Sequence, residues 1–133
     1  MTGRTNRCSE ADRRGRMHVA DQFHTAAGLI QEFTGDPAEG TINNAYVTLC
    51  VHAGIAAADV ICCARLGEYS RGEDHKEAVA LLARVDKSLS TVLARLLALK
   101  TPAGYQPRTV SKQQVTAAGR QADQLISAAR SAL

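Results

Sequence analysis

The chain has 133 residues, a formal charge of +3, no Trp, two Phe and three Tyr. That length suits one domain with its own core, and an Ala- and Leu-rich composition favours helix before any pattern is read. There is no Cys-x-x-Cys, no His-Glu-x-x-His, no Gly-rich phosphate loop and no serine nucleophile motif, so no metal and no cofactor is expected.

Charge is unevenly placed. Residues 1–16 hold five arginines against Glu10 and Asp12, while the remainder carries eleven basic and eleven acidic side chains. Residues 1–16 are therefore expected as a flexible basic tail, dispensable for stability, ahead of a neutral domain over residues 17–133. The alternative is a tail that binds phosphate or an acidic surface. The polar, Arg-rich start does not resemble a signal peptide, which gives a cytoplasmic expectation.

Four segments carry a three-four apolar alternation. In the first, Val19, Phe23, Ala26, Ile30 and Phe33 line one helix face. Gly35 suits its C-terminus, Asp36 a cap for the next helix, Pro37 its first position and Glu39 a capping-box partner. The second helix is expected over residues 37–66, apolar on most sides and therefore central, with Gly67 closing it. Residues 45–64 have the length of a membrane span, but Asp59 within it would cost about 3 kcal/mol. A buried helix and no membrane are expected.

Cys50, Cys62 and Cys63 fall on that helix. Cys50 and Cys62 would stand about 18 Å apart along it, beyond the ~7 Å that a disulfide spans. The cysteines read as small core residues in a reducing compartment.

Residues 67–74 form a loop and, through Glu73 and Asp74, an acidic helix start. Ala78, Leu82, Val85, Leu89, Val92, Leu96 and Leu99 make one long third helix, stopping at Thr101 and Pro102. After the linker over residues 101–110, Ser111 and Gln114 form a capping box flanked by Val110 and Val115 as a hydrophobic staple. Val115, Ala118, Ala122, Leu125, Ala129 and Ala132 complete the fourth helix. No strand-like alternation is present. The fold class predicted is all-α, an antiparallel up-and-down four-helix bundle.

Two constellations carry chemistry. His52 and Asp59, the polar residues of the apolar helix, share a face but lie roughly 10 Å apart, so each needs a partner from another helix. Either they are a satisfied core pair, or they line a pocket. Arg71 and His75 are four apart at the start of the third helix, where a guanidinium can hold phosphate while an imidazole moves a proton. His18 and His24, six apart, do not share a face.

Helix two from Ala45 through His52 to Asp59, the Glu73, Asp74, His75, Lys76, Glu77 start, and the run Leu99, Lys100, Thr101, Pro102, Ala103, Gly104, Tyr105 together resemble HEPN (higher-eukaryote and prokaryote nucleotide-binding) domains. The resemblance spans residues 17–133 and implies a small helical bundle, often dimeric. Many members are metal-independent ribonucleases of toxin–antitoxin and defence systems. Their signature, an Arg and a His separated by four to six intervening residues near the start of the last helix, is contributed by both subunits; Arg71 and His75 have only three residues between them and lie one helix earlier. Lys100 and Tyr105 stand at that place here. The resemblance thus implies a non-catalytic homodimer binding a partner protein, nucleotide or RNA, with His52, Asp59, Lys100 and Tyr105 as binding candidates. A metal-independent endoribonuclease using Arg71 and His75 is the first alternative, and an interaction domain with no small ligand the second.

Overall fold

The computed structural model describes residues 5–34, 36–71 and 75–133. The predicted roles of Gly35, Glu73 and Asp74, and of the tail's first four residues, lie outside them. The fold is predominantly helical, as the sequence pattern requires. A short strand β1 (Thr5–Arg7) leads into α1 (Glu10–Thr34). A 3-10 turn (Pro37–Glu39) precedes α2 (Asn43–Leu66), and β2 (Glu68–Ser70) comes after it. Then come α3 (His75–Ala83), α4 (Lys87–Leu97), α5 (Lys100–Gly104) and α6 (Lys112–Ala132).

Helix α2 is the axis of the molecule. It is long and apolar enough to cross a membrane, but here α1, α3, α4, α5, α6 and β2 all pack on it. Alanines face its closest neighbours: Ala53, Ala56 and Ala57 are wholly buried, letting backbones approach. Gly54 marks the tightest point. A Cβ there would run into Leu96 Cδ2 of α4 and come within 3.2 Å of Leu125 Cδ1 of α6.

Residues 5–16, expected as part of a flexible tail, are built into the fold. β1 pairs antiparallel with β2, setting Thr5 opposite Ser70, Asn6 opposite Tyr69 and Arg7 opposite Glu68. Cys8 is disulfide-bonded to Cys63, and the Cys8 amide donates to Gly67 O at 2.9 Å. Ser9 and Asp12 then exchange hydrogen bonds of 3.0 Å that start α1. The expectation that the cysteines are small core thiols fails at Cys8 and Cys63, because the partner of Cys63 comes from outside the helix. Cys50 and Cys62 remain buried thiols.

Two helix boundaries also differ from the sequence reading. Asp36 does cap, accepting from Ala38 N at 2.9 Å, but it caps only a single 3-10 turn. That turn closes at Gly40, which has φ 76°, and α2 starts only at Asn43. The third helix is broken in two, because Asp86 is extended and its carboxylate accepts from Leu89 N at 2.9 Å, capping α4. The apolar spacing of Leu82, Val85 and Leu89 runs straight across this break, which hides it in the sequence. The best-buried leucines of the two pieces are accordingly Leu81, Leu82, Leu93 and Leu96, with Leu89 only partly covered. Pro102 sits in the first turn of α5, where its missing N–H costs nothing.

On α1 the buried residues are Met17, Ala20 and Ala27, while Phe33 of the expected stripe is exposed; the remaining helix ends match the pattern. Gly67 closes α2 in the left-handed region at φ 71°. Ser111 and Gln114 form both bonds of the capping box, with Val110 and Val115 buried beside it. Asn44 ties the linker to α2, donating to Ala103 O and Arg108 O and accepting from Val110 N. Because Gly54 lies where three helices meet, Gly54→Ala is expected to destabilise the fold by about 1–3 kcal/mol through overpacking. Urea unfolding measures this; a neutral substitution would show that α4 and α6 can yield there.

Candidate functional site

Asp59 lies in the last third of α2, surrounded by buried Ala, Val, Ile and Cys. A carboxylate in such a place needs a counter-charge or a proton. The counter-charge comes from Arg16, whose Nε donates to Asp59 Oδ2 at 2.9 Å. Burial of Met17 and Ala20 against the core fixes the rotation of α1 and so brings Arg16 to this height. The pair is unequal in exposure: the Arg16 side chain is 31% exposed and that of Asp59 only 11%. Burial pushes the Asp59 carboxyl up to about 6, against the pull of the Arg16 charge and hydrogen bond.

Beside this pair opens a cavity of about 280 Å³. Arg16 and Asp59 form one side and Tyr69 and Ser70 of β2 another; His75, the first residue of α3, faces in, with Ile55 and Ala78 as the apolar floor. Ser70 Oγ is buried and, among the described residues, has no hydrogen-bond partner. His75 Nε2 lies 2.9 Å from Lys100 Nζ, at the start of α5. An ammonium has only hydrogens to offer, so in this contact Lys100 donates and Nε2 accepts.

His52 is two turns before Asp59 on α2. It stacks on Phe23 of α1, ring centroids 5.2 Å apart and planes 28° apart. Burial lowers its pKa, and the positive charges of Lys100 and Arg16 lower it further. The two polar residues of the apolar helix thus find their partners on α1: a guanidinium for Asp59 and an aromatic face for His52. Arg16 and Lys100 thus both act on His52, and Asp59 is itself reluctant to ionise.

Of the residues singled out from the sequence, Asp59 and His75 meet at this cavity. Lys100 reaches it through His75, and His52 senses it electrostatically. Arg71 comes directly after β2 on the exposed surface and does not line the cavity. Tyr105 ends α5 with 76% of its surface exposed and also lies off the cavity. Sequence reasoning missed Arg16, Tyr69 and Ser70. Arg16 falls in the stretch expected as a tail, although the demand of Asp59 for a partner is the signal that could have found it. Tyr69 and Ser70 sit in a stretch too short for any strand periodicity. His24 pairs elsewhere, 2.6 Å from Asp123 of α6. Among the described residues no group of three His, Cys, Asp or Glu converges as a metal site would.

No protein-family model matches the chain and no curated protein is similar to it; the resemblance to HEPN domains rests on the sequence pattern.

The electrostatics have a measurable sign. Asp59 has its ordinary value of 3.8 in the unfolded chain and about 6 in the fold. Between those pH values the folded state holds more protons, so stability contributed by this group is greatest below pH 4 and falls as pH rises to 6. His52 works oppositely: kept neutral in the fold, it costs stability as pH drops below its ordinary 6.5. Comparing wild type with Asp59→Asn isolates the first effect. The wild type's stability relative to the variant is expected to fall by on the order of 2–3 kcal/mol from pH 4 to pH 7. A pH-independent difference would show that Arg16 fully offsets the burial.

Proposed function

We propose that the chain is a non-catalytic binding module, a HEPN-like four-helix bundle whose cavity beside Arg16 and Asp59 takes the anionic part of a nucleotide or of RNA. The observation that carries this reading is the convergence of Arg16, His75 and, behind it, Lys100 on a cavity where Asp59 is the one carboxylate among the described lining residues. Arg16 offers planar donors suited to phosphate oxygens. Ser70 Oγ, buried with no partner among the described residues, offers a hydroxyl donor, and Tyr69 an aromatic surface. A cavity of about 280 Å³ has the scale of a small ligand rather than of a folded partner. Lys100 already donates to His75, and an imidazole so engaged on Nε2 serves as a positioned polar wall more readily than as a base, which favours binding over catalysis.

Titration with adenosine monophosphate and with a short single-stranded RNA, read by calorimetry, tests this. Binding is expected to weaken at least tenfold in Lys100→Met, and saturating ligand should stabilise the fold by about 2.7 kcal/mol at a hundredfold excess over Kd. Absence of heat with both probes would sink the anion reading.

The second reading, a metal-independent endoribonuclease, is favoured by one observation: His75 lines the cavity next to Arg16. RNA cleavage in chelator by the wild type but not by His75→Ala would establish it, and Arg71→Ala would tell whether the sequence-derived pair is the active one.

The proposed state is a cytoplasmic homodimer. Phe33, 82% exposed, and Leu29, 49% exposed, stand one turn apart on the outer face of α1, an apolar pair that a second copy would cover. Sedimentation is expected to show a dimer that Phe33→Glu converts to monomer; a monomeric wild type would remove this part of the proposal.

A further inference from the structure

The wall of the cavity formed by Tyr69 and Ser70 packs on α2 and α3, and on its outer side it is held by β1 and one covalent bond. β1 and β2 are three residues each and make a sheet of two strands. Pairings that short are marginal in water by themselves. Register places Asn6 against Tyr69 and Thr5 against Ser70, so both wall residues of β2 are backed by β1. One residue beyond the strand, Cys8 is bonded to Cys63 in the last turn of α2, across a sequence separation of 55. The Cys8 amide bond to Gly67 O continues the ladder to that point.

We propose that the Cys8–Cys63 disulfide is a redox latch on the cavity: closed, it holds β1 against β2 and keeps Tyr69 and Ser70 in the wall. Opened by a dithiol reductant, it releases the wall and the ligand. The proposal rests on reading the cavity as a ligand site.

The chemistry balances with a dithiol as co-reactant. One thiolate of the reductant attacks Cys8 Sγ, forming a mixed disulfide and expelling the Cys63 thiolate, which takes up a proton. The second thiol of the reductant closes on the first, forming its own disulfide and releasing Cys8 as a thiol. Two electrons and two protons pass to the protein and the reductant is oxidised. Attack at Cys8 is the accessible route: Cys8 is partly exposed between exposed Arg7 and Ser9, whereas Cys63 is buried. The neighbouring thiol Cys62 does not compete, since burial, reinforced by Asp59 and Glu68, pushes its pKa up to about 12, leaving almost no thiolate.

Release is local because the core lies elsewhere. Leu82, Leu93, Leu96 and Leu125 pack between α2, α3, α4 and α6, and the contacts among those helices do not pass through Cys8. Arg16 lies further along the chain, on α1, whose own Met17, Ala20 and Ala27 are buried; it stays in place while β1 lifts. Disulfides are rare in reducing compartments and characteristically transient or redox-sensing where they occur, so in the proposed cytoplasmic setting this bond would cycle rather than persist.

The full-length protein, oxidised and after treatment with dithiothreitol, is followed by amide hydrogen exchange and by calorimetry with adenosine monophosphate. Reduction is expected to raise exchange at least tenfold over residues 5–8 and 67–70 while α6 stays protected, and to weaken adenosine monophosphate binding at least tenfold. Cys8→Ser should show both properties with or without reductant, and Cys50→Ala should keep the wild-type response. Unchanged exchange in those two segments overturns the latch. So does loss of protection throughout α6, which would make the bond a staple for the whole fold, and so does a wall that opens without affecting affinity. If the oxidised protein binds no adenosine monophosphate, the nucleotide reading fails, and exchange alone still decides whether the disulfide governs the wall.

Discussion

Everything in this molecule is arranged around the need to cover α2. A helix apolar on one stripe can lie on a surface, but one apolar all round must be enclosed, and at Ala53, Ala56, Ala57, Val60 and Val47 no side-chain surface is left exposed. Enclosure takes α1 on one flank, α6 on another, and the α3–α5 run over the remaining arc. Small side chains make this close approach workable; the lack of room at Gly54 is the measure of how close. The consequence for function is direct, because the polar groups in the middle of α2, His52 and Asp59, face the seams between its neighbours rather than open solvent.

Those seams are where the site forms. His52 and Asp59 are on one stripe of α2, with Ile55 between them. The seam with α1 supplies Phe23 and Arg16; the seam with β2 and α3 supplies Tyr69, Ser70 and His75. A buried ion pair is poor evidence for stability, since removing two charges from water costs several kcal/mol per ion before their attraction is counted. Asp59, half-protonated near pH 6, shows that the cost is not fully recovered. An aliphatic pair in the same volume would hold α1 on α2 at least as well. Its presence next to a cavity, beside a second cation and two imidazoles, is what gives it a functional reading.

Much of the helical framework was legible in the sequence because helix signals are local. The capping box at Ser111 and Gln114, the stop at Gly67, and the centrality of the second helix needed nothing beyond neighbouring residues. The failures are equally specific. The break at Asp86 was hidden by an apolar spacing that continues through it. The strands β1 and β2 were invisible, since three residues cannot display a period of two. The largest failure was the N-terminal segment. Composition read its five arginines as a solvated tail, and composition cannot see that one arginine faces a buried carboxylate 43 positions away, or that one cysteine reaches the end of α2.

These two long-range contacts belong together. Residues 8 and 16 are joined to residues 63 and 59, so the two links connect the entry to α1 and its second turn to the last turns of α2, one covalent and one ionic. Asp59 and Cys63 are about one helical turn apart, which places them one above the other on α2. The N-terminal segment is therefore fastened along the same strip of helix that borders the cavity. An ionic fastening responds to pH and a disulfide to reductant, whereas the aliphatic contacts over the rest of α2 respond to neither. The two links between the N-terminal segment and α2 that respond to pH or reductant thus lie beside the cavity, while the centre of α2 is packed by aliphatic contacts that respond to neither.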